Sequence, residues 1–206
     1  MALVIRICSR GPVLFRQERI GLLGESFVCL KFRTMQVEAD TTSHQAHMDK
    51  LMHSAVPMTK LDLGHDGRVI PAGGFLRATG LDELPQLFNV LKGEMSLIGP
   101  RPCIRYEYEK FGPQDRLRFN AVPGLTGLWQ VSGKNSTSFQ QMIDLDVHYA
   151  QNLSLAGDLK ILWRTWPVLV EQARARWQSH TIGRPARSPS VRVQFAPAAE
   201  ETRRCY

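Results

Sequence analysis

The 206-residue chain carries a formal net charge of +7, with 43% hydrophobic and 22% charged residues. That length and balance suit one domain with a real core and exclude wholesale disorder. A pI near 9.5 makes an anionic partner plausible but does not rank nucleic acid, acidic lipid and phosphorylated metabolites. Cys8, Cys29, Cys103 and Cys205 are scattered without a C-x-x-C pair, which points to reduced thiols rather than a disulfide framework or zinc site. No stretch reaches the roughly 18 uncharged apolar residues of a spanning helix, and "MALVIRICSRGP" has no signal-peptide ending.

Residues 12–33, "PVLFRQERIGLLGESFVCLKFR", read as a β-hairpin around Gly21 and Gly24. Lys31 and Arg33 leave its second strand two residues apart and are expected to face the same way. Residues 35–60 are polar and predict a solvated helix. His44 and His47 have helical spacing there, but no third metal ligand accompanies them. Residues 65–77 predict a turn followed by a short helix or strand.

From Leu81, the apolar residues Leu84, Leu87, Phe88 and Leu91 recur at helical spacing up to Gly93, which predicts an amphipathic helix. Thr79 is placed to cap it. "PRP" at 100–102 forces an extended path, and residues 106–119 predict a short helix. "PGLTGLWQVSGKN" is a glycine-punctuated loop or small sheet, and residues 138–152 predict a helix with Met142, Leu145 and Tyr149 on one face. "DLKILWRTWPVLVEQARARW" mixes tryptophans with cations. It suits either a lipid interface or ordinary core packing with snorkelling cations. From residue 179 the composition turns to Pro, Ser, Ala and Arg, and a disordered tail is expected.

Asp82 and Glu83 stand side by side at the start of the predicted helix. Acids in a first turn complement the helix dipole, and Pro85 fits a helix start, so a purely structural role accounts for them. They also suit chemistry. A carboxylate can attack a phosphoryl group, and a neighbouring one can hold Mg²⁺, which leaves its other positions to phosphate and water. Arg77 upstream and Arg101 between two prolines supply the cations that phosphoryl transfer needs. P-loop, Rossmann and nucleophile-elbow motifs are absent, and the dispersed basic residues form no nucleic-acid-binding module.

"GPVLFRQERIG", "CLKFRTM", "GLDELPQLFNVLKGEMSLIGPRP", "PGLTGLWQVSGKN" and "LDVHYAQNLSLAGDLKIL" stand in the order seen in the bacterial sugar transferases. The chain resembles these monotopic phosphoglycosyl transferases from about Gly11 to Val170. The resemblance implies an α+β, membrane-associated domain with a small β-hairpin or sheet and several amphipathic helices. Its expected extents are a residual membrane element over 1–10, a catalytic domain over 11–178 and a tail over 179–206. It implies transfer of a sugar-1-phosphate from a UDP-sugar to polyprenyl (undecaprenyl) phosphate at the cytoplasmic face of a bacterial inner membrane, releasing UMP.

The step would open exopolysaccharide or O-antigen assembly, with no nucleic-acid partner. By position, Asp82 would be the nucleophile that forms a covalent phosphosugar intermediate, and Glu83 would bind Mg²⁺. Lys31 or Arg33, Arg77 and Arg101 would contact phosphate, and Asp146 would be a further functional acid. "MALVIRI" stands where family members carry a hydrophobic re-entrant helix, Arg10 where proline is usual, and Gly80 where serine is common. The shortened element leaves an alternative expectation, a non-catalytic fragment that binds nucleotide sugars or partner proteins.

Overall fold

A computed structural model describes residues 1–37, 42–54, 56–58, 67–133 and 136–182. The strands Leu14–Ile20 (β1) and Ser26–Phe32 (β2) form the expected antiparallel hairpin, with Leu14 opposite Phe32 and Ile20 opposite Ser26. Leu23 (φ 53°) and Gly24 (φ 81°) make the tight left-handed return between them. Before the hairpin runs a short helix, Ala2–Cys8 (α1), and after it come helices Thr42–Met52 (α2) and Gly73–Thr79 (α3). The expected solvated helix is not fully solvated, because α2 puts Met48 and Leu51 into the main core. The spaced histidines fall partly outside the described side chains.

The helix Gln86–Leu91 (α4) is followed by strand Ser96–Ile98 (β3), helix Arg105–Lys110 (α5), a 3-10 turn Asp115–Asn120 and strand Gly124–Thr126 (β4). β3 and β4 pair in parallel. The glycines of this region are there for backbone contact. A Cβ on Gly99 would lie 2.1 Å from the Val122 carbonyl oxygen, and one on Gly124 would lie 2.1 Å from the Gly99 nitrogen. Helices Leu128–Val131 (α6), Phe139–Gln151 (α7) and Leu155–Ile182 (α8) complete the chain. α8 thus runs past residue 179, and residues 183–206 of the expected tail lie outside the described residues.

The result is the expected mixed α+β fold with two small sheets. Ile20, Cys103, Phe111, Phe119, Trp129, Phe139, Met142 and Ile143 form the centre of its largest core. α7 is defined locally by a reciprocal cap. Ser138 Oγ accepts from the Gln141 N–H at 3.2 Å, and Gln141 Oε1 accepts from the Ser138 N–H at 2.9 Å. Its buried stripe is Phe139, Met142, Ile143, Asp146 and Tyr149, with Leu145 on the flank rather than at the centre.

The helix expected from Leu81 differs most. A 3-10 turn, Leu81–Glu83, comes first, and α4 starts only after Pro85. Thr79 does not cap it, because its hydroxyl donates back to the Phe75 and Leu76 carbonyls of α3. The spacing of the apolar residues is helical as expected, but their side is reversed. Leu87, Phe88 and Leu91 are exposed, whereas Gln86 and Asn89 are buried.

Asn89 holds α4 to the free edge of β2. Its Oδ1 accepts from the Leu30 N–H (3.1 Å), and its Nδ2 donates to the Val28 carbonyl (2.7 Å) and to Glu94. An inward-facing Asn89 is stable here because its amide oxygen and both amide hydrogens have partners. Asn89→Leu is expected to cost about 1–3 kcal/mol for each strand group left without a partner. Chemical denaturation of the variant measures that loss.

Candidate active site

Asp82 and Glu83 are positioned by a chain reversal between two packed elements. α3 begins where Gly73 packs against the Thr34 carbonyl just after β2, a contact with no room for a side chain. It ends at Gly80, whose left-handed φ of +71° is one that an L-residue adopts only with strain. The following 3-10 turn closes through Glu83 N–H to the Gly80 carbonyl (3.1 Å) and presents Glu83 to β2. Lys31 Nζ of β2 donates to Glu83 Oε1 at 2.9 Å. Burial, and then the adjacent Glu83, push the Asp82 carboxyl above its ordinary value, against the opposing pull of Lys31 and Arg77.

Beside this turn is a cavity lined by Arg19, Lys31, Glu83, Gln86, Arg101 and Gln130, among others. Of the expected residues, Lys31, Glu83 and Arg101 line this cavity; Asp82 adjoins Glu83 in the turn, and Arg77 lies in the last turn of the helix just before it. Glu83 is a half-open carboxylate on the cavity rim. Mg²⁺ requires only one or two protein carboxylates beside phosphate and water, so this pair of acids fits it. Among the described residues no cluster of three metal-ligating side chains occurs, and this is compatible with so sparse a ligand set.

Arg33 is not brought to this cavity. Its Nε donates to the Pro12 carbonyl at 2.6 Å, and its two terminal nitrogens donate to the Ser9 hydroxyl and carbonyl. It faces a second cavity with Cys8, Ser9, Arg10 and Val69. Alternation did place it on the side of Lys31, but the strand ends at Phe32 and the guanidinium turns back to staple the segment before β1. Asp146 also stands apart. It is wholly buried and accepts from Arg118, itself wholly buried. Burial pushes its carboxyl up to about 6, against the pull of Arg118.

Arg118 reaches the site through the backbone. Its Nη2 also donates to the Arg101 carbonyl at 2.7 Å. Arg101 Nη1 donates to Glu107 at 3.3–3.4 Å, and Glu107 accepts from the Ile104 N–H. Burial opposes ionisation of Glu107, but Arg101, Arg19 and Arg118 hold its carboxyl below the ordinary value. On the other flank Arg19 Nη1 donates to the Pro102 carbonyl at 3.1 Å. The proline-flanked Arg101 is thus fixed by two further arginines that sequence reasoning missed. Their only signal was position, Arg19 within the "RQER" of a strand and Arg118 between apolar Leu117 and Phe119.

Asp146→Asn removes the only charged hydrogen-bond partner that a buried guanidinium has among the described residues. It is expected to lose about 3–5 kcal/mol of stability, read as a lower denaturation midpoint at pH 7.

The family model described as "Bacterial sugar transferase" matches residues 1–172. The chain is 42% identical over 161 residues to a galactosyl transferase, CpsE, of Streptococcus agalactiae, covering 78% of this chain and 35% of that protein. It is 39% identical over 166 residues to the exopolysaccharide production protein ExoY of Sinorhizobium fredii, covering 81% and 74%. To a UDP-glucose:undecaprenyl-phosphate glucose-1-phosphate transferase of Caulobacter vibrioides it is 41% identical over 177 residues, covering 82% and 61%. The chain therefore spans about a third of the first of these relatives and about three quarters of the second.

Proposed function

The chain belongs to the bacterial sugar transferase family, and from that premise we propose that it transfers a sugar-1-phosphate from a UDP-sugar to polyprenyl (undecaprenyl) phosphate, opening exopolysaccharide-type assembly. The observation that carries this reading is the pair Asp82–Glu83, held in a half-buried turn against Lys31 at the rim of a cation-lined cavity. An Asp82 oxygen attacks the phosphorus that carries the sugar, forming an aspartyl phosphosugar as the bond to UMP breaks. An oxygen of the lipid phosphate then attacks the same phosphorus. Asp82 leaves as a free carboxylate, and a lipid diphosphosugar is the product.

Lys31, Arg77 and Arg101 offset the charge on the phosphates during both displacements. Glu83 would hold Mg²⁺ together with phosphate oxygens and water, and that ion supplies further charge neutralisation when bound. Raising the Asp82 carboxyl keeps its basicity, and so its nucleophilicity, above that of a solvated aspartate.

The lipid acceptor requires a route to a bilayer. No helix among the described residues is long and apolar enough to cross one. The exposed faces offer another mode of contact. α4 turns out Leu87, Phe88 and Leu91, α1 turns out Leu3 and Ile7, and α8 exposes Trp163 and Trp166 at 83% and 72%. Helices with an outward apolar stripe, tryptophans and neighbouring cations settle in the lipid interface, which is the site we propose for this chain at the cytoplasmic membrane face.

With a UDP-sugar labelled in the sugar-proximal phosphate, and with Mg²⁺, the protein is expected to retain label. Asp82→Asn is expected to lose it, with turnover down by about three orders of magnitude or more. Equal labelling of the variant would overturn the covalent route. Attack needs the carboxylate, so adduct formation should fall as pH drops through the raised Asp82 value. Single-turnover labelling against pH should place that limb above the ordinary aspartate value of about 3.9. Co-flotation with anionic vesicles tests the lipid face, and Leu87→Glu with Trp163→Glu is expected to reduce it.

A further inference from the structure

The cavity beside the acidic turn contains polar groups that neither the fold nor the attack of Asp82 employs. Arg19 donates to the Pro102 carbonyl at 3.1 Å and to Gln17 Oε1 at 2.6 Å, but its Nε is buried without a partner among the described residues. The side-chain oxygen of Gln130, in the same lining, is likewise buried and unpartnered. Each such orphan costs about 1–3 kcal/mol, and native proteins ordinarily satisfy such groups with water or a ligand.

The charges of the lining are unbalanced in the same place. Lys31 is answered by Glu83 and Arg101 by Glu107. Among the described residues Arg19 hydrogen-bonds two neutral acceptors, a carbonyl and an amide. Burial of the Cys29 thiol keeps it protonated, so it adds no negative charge. Burial and then the nearby Arg101 disfavour the Arg19 charge more than Glu107, which Arg101 already engages, supports it, a cost that an anion seated between the two guanidinium groups would reverse. Glu83 lines this cavity and Asp82 does not. In an in-line displacement the leaving oxygen is opposite the nucleophile, so a cation-lined cavity that Asp82 itself does not line suits the departing group.

Resting on the transfer reading above, we infer that Arg19 is a further substrate-binding residue: with Arg101 and the Gln130 amide it receives the phosphate of the departing nucleoside monophosphate. Arg19 Nε is the donor and the Gln130 amide a neutral one beside it, since its oxygen and nitrogen can exchange places by a flip. The two groups left over by the fold thereby find their partners in the ligand.

The test is calorimetric titration of UMP into the full chain and two variants, with melting temperatures recorded alongside. Arg19→Lys keeps the charge but loses Nε and the forked geometry, and UMP affinity is expected to fall about tenfold. Gln130→Glu puts a carboxylate in the cation-lined cavity. It is expected to weaken UMP by at least about tenfold while leaving the melting temperature unchanged or higher, since the new charge answers Arg19.

A purely structural Arg19 would lower the melting temperature without moving UMP affinity below it, and that result overturns the inference. So does parental affinity in Gln130→Glu, which decides alone if Arg19→Lys does not fold. If the parent takes label on Asp82 and binds UMP but the variants bind it equally, the inference fails and the transfer reading stands. A parent that neither labels nor binds UMP overturns both.

Discussion

The buried Arg118–Asp146 pair is the interaction on which the geometry of the site depends. Both side chains are withdrawn from water, and their desolvation is tolerable only because each finds a charged partner. The same guanidinium also holds the Arg101 carbonyl, so α7 is tied to the proline-bracketed segment that supplies a cation to the cavity. Removing the carboxylate would leave a buried charge and free that segment together. Asp146 is tied to the Arg101 segment through Arg118 and is not part of the cavity lining.

Arginines recur in this role. Arg118 holds one flank of the Pro100–Pro102 segment and Arg19 the other, while Arg101 between them is oriented by Glu107. A guanidinium is suited to this, because its planar fork can satisfy a carbonyl and a carboxylate together and stays charged when buried. Arg101 and Arg118 are answered by Glu107 and Asp146, so these two pairs add nothing to the net charge of +7. Part of the basic character that suggested an anionic partner is spent inside the fold, and part surrounds the cavity.

How much the sequence disclosed depended on the range of each interaction. The hairpin and helix α7 are written within a few residues and were legible. Lys31 and Arg33 looked equivalent by alternation, but alternation says nothing of what lies beyond the end of a strand, and there Arg33 meets Ser9 and Pro12. The period of residues 84–91 was right and its inner side was not. Periodicity tells which residues share a face, whereas the solvent that face meets is decided by Asn89 finding two backbone partners about 60 positions earlier. Arg19 and Arg118 were illegible for the same reason, since Pro102 and Asp146 lie 83 and 28 positions away.

The close crossing of Gly99 and Gly124 has a mechanical consequence. Gly99 N–H donates to the Thr126 carbonyl, and Gly124 N–H donates to the Pro100 carbonyl, both at 2.9 Å. With no side chain between them, the two backbones form a single seam. On one side the seam leads into Arg101 and on the other into Gln130, so two walls of the cavity move as one body. Widening the cavity there would require breaking both of those hydrogen bonds. The shape of the cavity in this part is then set by the side chains mounted on that frame, and by the hairpin and acidic turn beside it.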